Sequence, residues 1–427
     1  MKELAIEHVP AAEGKAPRVR VSYRKAAGAQ PQVSEAEFRF DLTDEDRRLI
    51  QWYLEEYLTC PWDEFVNRAR QVEDLMARTG QALFDAIFAH PRAAALYAHV
   101  ADDLPNTRVV IRAPDPAGIA LPWELLHDPA RGEYGDIARL AYSFARSQPD
   151  LMFEPPGPVG EGPLNILMVI SRPGGPDREV PFQSVARPLV DLFRPHGDRI
   201  HLDVLRPPTF EQLVRVLNAK PGFYHVLHFD GHGAFPAGGD PNRFYGVRGA
   251  QGKLVFEGED TEWREVSGEE LGGLLAGKGI RVVLLNACQS AMTRPESLYP
   301  SVGNQLLKAG TCGVVAMAYS VYVESAVRFM ARLYEGLLNG EELARAVACG
   351  REDLRSHPQR TSPIGDVELQ DWVVPVLFEA VPVRLTAKPS GIRLDRSTLV
   401  PTCRRKHTNT AEEKAHLLGL RQPVPHT

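Results

Sequence analysis

The chain has few cysteines and none of the spacings that would give them a shared job. Cys60, Cys288, Cys312, Cys349 and Cys403 are odd in number, widely separated and never arranged as C-x-x-C. That excludes a disulfide framework and a cysteine-based zinc site, and leaves each thiol to be read as a small buried hydrophobe unless its surroundings say otherwise. Long apolar runs are also absent. The stretch Val282–Leu285 is typical of the longest, far short of the roughly 20 residues that cross a bilayer. The first twelve residues contain charges and a proline but no apolar h-region, so neither a signal peptide nor a membrane partner is expected, and the location expected is cytoplasmic. No excess of positive charge marks the whole chain. Its net charge of −6 gives no footprint for a nucleic-acid partner. Charge is nonetheless uneven, since residues 381–427 carry nine Lys/Arg against three Asp/Glu.

Several motifs are missing too. No G-x-G-x-x-G opens a helix after a strand, which argues against a nucleotide-binding α/β domain. No G-x-S-x-G occurs, so a serine elbow is unsupported. Gly272, Gly277 and Lys278 come near a phosphate loop, but Gly279 follows where Ser or Thr is required, and the segment ends a helix instead of opening one. No cofactor is called for.

What is present is ordinary globular composition, 44% hydrophobic and 24% charged over 427 residues, enough for a sizeable core. Residues 1–34 read as a ragged leader with a short strand near Val19–Tyr23. Thr43 and Asp46 form a capping-box pattern opening a helix to about Leu58, with Leu49, Ile50, Tyr53, Leu54 and Tyr57 at helical spacing. A second helix is expected from after Pro61 to about Arg78 and a third over Gln81–Ala89, then a strand at Val109–Arg112. The Pro/Gly-rich run Glu154–Pro163 reads as a linker or long loop.

Beyond it strands and helices alternate. Strands are predicted at Leu164–Ile170, Ile200–Leu205, Phe223–Phe229, Arg281–Asn286, Gly313–Ala318 and Trp372–Phe378. Helices are predicted at Phe182–Phe193, Thr209–Ala219, Val302–Ala309, Glu324–Leu338 and Glu341–Arg355. A Gly-rich insertion between Gly233 and Gly279 holds a hairpin strand at Lys253–Glu257. The alternation implies an α/β fold, a mostly parallel sheet with helices on both faces, preceded by a small helical N-terminal region. The boundaries expected are 1–104 for that region, 105–380 for the main domain and 381–427 for a basic, poorly ordered tail.

In open α/β sheets ligands bind at the carboxyl ends of the parallel strands. Two strand ends here carry unusual residues. One reads Tyr224 to Gly233, ending Asp230-Gly231-His232-Gly233; the other reads Val282 to Ala291, with Asn286-Ala287-Cys288-Gln289-Ser290 at its end. Each is an apolar strand delivering a reactive side chain into a loop, and the glycines beside His232 allow close backbone approach. A thiol nucleophile needs a base within hydrogen-bond reach, which two neighbouring parallel strands can supply. His225, His228 and His232 invite a metal reading, but alternation along a strand sends His225 and His228 to opposite faces, so no metal site is expected and both are read as hydrogen-bonded core residues.

G-H-G after one strand and N-A-C-Q-S after another resemble the CHAT branch of the caspase-like peptidases, with separases and metacaspases as more distant relatives. The 56 residues from His232 to Cys288 compare with about 50 between histidine and cysteine in caspases. Leu121-Pro122-Trp123-Glu124-Leu125-Leu126 is similar to the L-P-W-E-x-L segment of that family. Gly310–Val315 resembles the strand after its nucleophile, and Phe329–Gly340 with Glu341–Arg351 its closing helix pair. The chain departs from the family at Tyr319, where Trp is frequent, and at Glu324, where Asp is frequent. The helical repeats or ATPase that many members carry are not visible in this sequence, so a regulator is expected on a separate protein or a missing segment.

The resemblance covers about residues 105–380. It implies a cysteine endopeptidase with Cys288 as nucleophile, His232 as base, and backbone N–H groups of Gly233 and Cys288 as oxyanion hole. It also implies a protein or peptide substrate, a regulatory protein partner, and a setting in bacterial defence or cell death. Metacaspases, which cut after basic residues, have Asp two positions before the nucleophile, where this chain has Asn286. Asp230 or Glu324 then become the acidic candidates for the substrate pocket beside Asn286. The competing reading is a catalytically silent caspase-like scaffold used for protein–protein interaction.

Overall fold

The computed structural model describes residues 1–11, 16–59, 61–148, 162–173, 183–234, 253–258, 263–287 and 298–385. In chain order the strands are β1 (Lys2–Val9), β2 (Arg18–Arg24), β3 (Gln32–Glu37), β4 (Thr107–Arg112) and β5 (Ser143–Ser147). Then come β6 (Leu164–Ile170), β7 (Ile200–Val204), β8 (Val226–Ala234), β9 (Lys253–Glu257) and β10 (Trp263–Ser267). The last are β11 (Val282–Ala287), β12 (Gly313–Met317), β13 (Gln359–Ser362), β14 (Gly365–Glu368) and β15 (Pro375–Glu379). Among the described residues thirteen of these join one mixed sheet, while β13 and β14 form a separate hairpin.

The half that carries the motifs is parallel. β7, β6, β8, β11 and β12 lie side by side in that order, all parallel. β6 is buried at every position, as expected of a strand covered on both sides. β15 then runs antiparallel to β12, and β5, β4 and β1 follow parallel to one another. β2 and β3 complete that edge. The architecture is α/β, a mostly parallel mixed sheet flanked by helices, as the alternation predicts.

The N-terminal segment differs from a ragged leader. Residues 1–37 supply three strands of the sheet, because β1 pairs with β4 from Lys2↔Thr107 to Glu7↔Arg112. The charges that make this stretch look unstructured occupy the polar side of the strands and meet across them. Arg20 pairs with Glu35 at 3.0 Å and Glu7 at 3.4 Å, and Arg24 with Glu3 at 3.5 Å. Between them Leu4, Ile6, Val19 and Val21 are buried. The region up to residue 104 is therefore helical only in part, with helices at Asp44–Glu55, Asp63–Phe88 and Pro91–Ala98.

The first of these begins with the expected capping box: Asp46 N–H donates to Thr43 Oγ1 at 3.1 Å and Thr43 N–H to Asp46 Oδ2 at 3.3 Å. The two helices predicted around Gly80 are one. Gly80 lies within Asp63–Phe88 because a Cβ there would collide with the Leu125 carbonyl, and His127 N–H donates to its carbonyl at 3.3 Å. Glycine is used here for close packing against the Leu121–Leu126 segment, not for a break.

That segment is a buried anchor. Trp123 is fully buried and its indole N–H donates to Gly118 O at 2.8 Å. Glu124 is clamped by the Arg146 guanidinium, whose Nε donates to Oε1 at 3.0 Å. Arg351, wholly buried in the Leu343–Ser356 helix, donates to Pro375 O at 2.8 Å, Phe144 O at 3.3 Å and Ala138 O at 3.4 Å. The helix is thereby fastened to both β15 and β5.

Candidate active site

β8 and β11 are neighbouring parallel strands in register from Val226↔Val282 to Gly231↔Ala287. The last pair joins the residue before His232 to the residue before Cys288. Cys288 itself lies outside the described residues, as do Cys60 and Cys403. Cys312, just before β12 and level with the start of β11, is buried, and its thiol is pushed up by that burial.

His232 is not in a loop. β8 extends past the predicted end at Phe229 because the Lys253–Glu257 strand pairs with it antiparallel, His232 opposite Val255 and Gly233 opposite Leu254. His232 is half-buried there. Gly231 owes its identity to packing: a Cβ would sit 2.8 Å from the Phe229 ring and 3.2 Å from Ser171 O.

Beneath His232 lies a charge cluster. Asp230 is 3% exposed. Arg172, two residues past the end of β6, donates from Nη2 to Asp230 Oδ2 at 2.8 Å and from Nη1 to Asp230 O at 2.9 Å. Arg172 is held in turn, its own N–H donating to Glu257 Oε1 at 2.9 Å. The other carboxylate oxygen accepts from Asn286 Nδ2 at 3.3 Å. Burial pushes the Asp230 carboxyl up to about 6; the Arg172 and His232 charges pull the other way. Asn286 is fully buried, and its Oδ1 has no hydrogen-bond partner among the described residues.

The other predicted residues fall elsewhere. Glu324 is exposed in the first turn of the Val323–Leu338 helix, and its carboxylate accepts from Thr361 N–H at 3.1 Å. No described contact joins it to Asp230 or His232. His225 and His228 take separate partners: His225 Nδ1 accepts from Asn165 N–H at 3.1 Å, and His228 Nδ1 meets the Tyr334 hydroxyl at 2.9 Å. Burial lowers His228 to about 4, so it is a neutral core residue at physiological pH. Arg172 is the residue that sequence reasoning passed over. Its signal is slight, a Ser-Arg pair directly after the apolar run Leu164–Ile170.

The sequence matches the family model described as "CHAT domain" over residues 77–380, well over half its length. The chain belongs to the CHAT domain family. The match takes in the anchor at Leu121–Leu126, both motif strands and the closing helices. No curated protein matches the sequence. Among solved structures, this CHAT chain is similar to a chain of the Saccharomyces cerevisiae separase–securin complex, at 12% identity and a TM-score of 0.45. That alignment covers 90% of this chain and 30% of the other. A second structure of that complex aligns at 12% identity and TM-score 0.35, over 88% of this chain and 22% of the other. A Geobacter sulfurreducens structural-genomics protein aligns at 13% identity and TM-score 0.29, over 51% of this chain and 94% of the other. The CHAT chain thus spans less than a third of the separase-complex chains. Among the described residues no helix is long and apolar enough to cross a membrane.

Proposed function

We propose that the chain is a cysteine endopeptidase acting on a protein substrate, with Cys288 as nucleophile and His232 as general base. The observation that carries this is the register Gly231↔Ala287, which puts the residues preceding His232 and Cys288 side by side on parallel strands. Membership of the CHAT domain family supports it.

His232 takes the thiol proton, and the thiolate attacks the scissile carbonyl. Backbone N–H groups of Gly233 and Cys288 stabilise the oxyanion. His232 then returns the proton to the departing amine, and water hydrolyses the thioester. The buried Asp230 carboxylate favours the imidazolium that forms. Both of its oxygens already serve Arg172 and Asn286. Of the proposed pocket residues Asp230, Asn286 and Glu324, the exposed Glu324 is therefore the better carboxylate to meet a basic P1 side chain. A regulatory protein partner, in bacterial defence or programmed cell death, is the setting this reading implies.

The test is cleavage of candidate protein substrates by the wild type, Cys288→Ala and His232→Ala. Loss of cleavage in both variants is expected. Equal cleavage by wild type and Cys288→Ala sinks the assignment, whereas no cleavage by the wild type under any activating condition, partner included, leaves the binding scaffold as the reading.

A further inference from the structure

Beside the strand ends lies a groove of about 550 Å³. Its walls are the Gln183–Phe193 helix with the turn after it, and the carboxyl ends of β6 and β7. Its floor and sides are apolar, Ile170, Ala186, Val190 and Val204, and the two valines are 40% and 39% exposed, unusual for side chains without a partner. Its rim is basic. Arg187, Arg194 and Arg206 line it against a single acid, Asp191, which already pairs with Arg194 at 2.8 Å. Among the described residues neither Arg187 nor Arg206 has a carboxylate partner. The Arg206 guanidinium donates to the carbonyl of Leu205 at 2.9 Å.

The groove is tied to the candidate active site. Ile170 pairs with Asp230 in the β6–β8 register, two residues before His232. It occupies the position where open α/β sheets bind ligands, outside the carboxyl ends of parallel strands. Two guanidinium groups with no carboxylate partner among the described residues, over exposed valines, complement an extended chain in which carboxylates alternate with aliphatic side chains. A nucleic acid fits less well, because the groove offers no aromatic face for a base and the whole chain carries −6.

We infer that this groove binds an acidic, aliphatic segment of the protein substrate, next to the bond to be cut. The inference rests on the peptidase reading for the identity of the segment as substrate; binding itself does not require cleavage.

The test uses the full-length Cys288→Ala chain and a fluorescein-labelled peptide alternating Glu and Val, with the same peptide carrying Lys for Glu as comparison. Anisotropy should show the acidic peptide binding and the basic one not. Arg187→Glu with Arg206→Glu should weaken binding by about ten- to a hundredfold at an unchanged melting temperature, both residues being exposed. Equal binding of the two peptides, or no loss in the double variant, overturns the inference. So does tighter binding of oligothymidylate that the same substitutions abolish, which would assign the groove to nucleic acid. Failure of the wild type to cleave any substrate would count against the peptidase while leaving this binding result standing.

Discussion

Asn286 and Asp230 stand directly opposite each other on β11 and β8, and the amide of Asn286 donates to Asp230 Oδ1 at 3.3 Å. Arg172, from the end of β6, takes Oδ2 at 2.8 Å. One buried carboxylate thus ties together the ends of three parallel strands, just before two of them deliver His232 and Cys288. Strand register is otherwise set by side-chain packing and the hydrogen-bond ladder. Here a charge-assisted knot is added beside the positions proposed to carry the base and the nucleophile.

Removing that knot should be costly in an unequal way. Asp230→Ala takes from the Arg172 side chain, 14% exposed, the carboxylate that lies 2.8 Å from it. A loss of about 3 kcal/mol or more in unfolding free energy is expected. Asn286→Ala removes one neutral donor to a carboxylate and should cost about 1–2 kcal/mol. Urea unfolding of both single variants and the double variant checks this. The double variant should show a coupling of about 1 kcal/mol, and strict additivity would mean that the two side chains do not cooperate.

Gly231→Ala tests how finely β8 is placed. The new methyl meets Phe229 Cε1 at 2.8 Å and Cζ at 2.9 Å, so the ring or the strand must move. Overpacking of this kind costs about 1–3 kcal/mol. If β8 yields, His232 moves with it, and a displacement near 1 Å is worth about a hundredfold in rate. On the proposed peptidase reading, activity should therefore fall much further than stability does. Phe229→Leu in the same chain should restore much of it, and failure of that rescue would point to backbone strain instead of the ring.

What the sequence shows and hides follows from what each residue type signals. The apolar runs at Leu164–Ile170 and Val282–Leu285 announce buried parallel strands, and the polar residues at the ends of two such runs announce a site. The Thr43/Asp46 box announces its helix start for a local reason. Non-local causes are silent. The charges of β1–β3 look like a solvated leader because their partners lie across strands, and Gly80 looks like a break because the Leu125 carbonyl it accommodates is far along the chain. Arg172 looks like an exposed loop cation because its partner, Asp230, is 58 residues away. The end of β8 is hidden for the same reason, since β9 extends it across an insertion.

Arg351 should prove indispensable to the fold. Burial brings its guanidinium down to about 10, so it remains charged at neutral pH. It serves three carbonyls, those of Pro375 and Phe144 on the neighbouring strands β15 and β5 and that of Ala138 in the helix Ile137–Leu140, with Glu124 Oε1 at 3.8 Å. Arg351→Met fills the volume but orphans those carbonyls, and a loss of about 3 kcal/mol or more is expected. Arg351→Lys should do little better, since a single ammonium cannot reach the carbonyls that the planar fork spans. Denaturant midpoints decide it: a lysine variant as stable as wild type would show that the charge alone matters.

The pH dependence of stability has an identifiable contributor in Glu379, at the end of β15. Its carboxylate is 7% exposed, lies 3.4 Å from Arg108 Nη1, and has no hydrogen-bond partner for Oε1 among the described residues. Burial pushes it up to about 7, against the pull of Arg108, with the Glu342 charge adding to the rise. A carboxyl whose folded value lies above its unfolded value of about 4.3 binds its proton more tightly when folded. Stability from this group is therefore present at low pH and is lost as pH climbs to about 7. Asp230, raised to about 6, acts in the same direction; His228, lowered to about 4, acts oppositely by favouring the fold as pH rises toward its unfolded value. Glu379→Gln isolates the first of these, because the other two titrate alike in both proteins. The stability of Glu379→Gln minus that of wild type should rise by about 2–3 kcal/mol between pH 4.5 and pH 7.5 and level off above that. Urea titrations across that range measure it, and a difference independent of pH would mean that Glu379 stays ionised in the folded chain throughout.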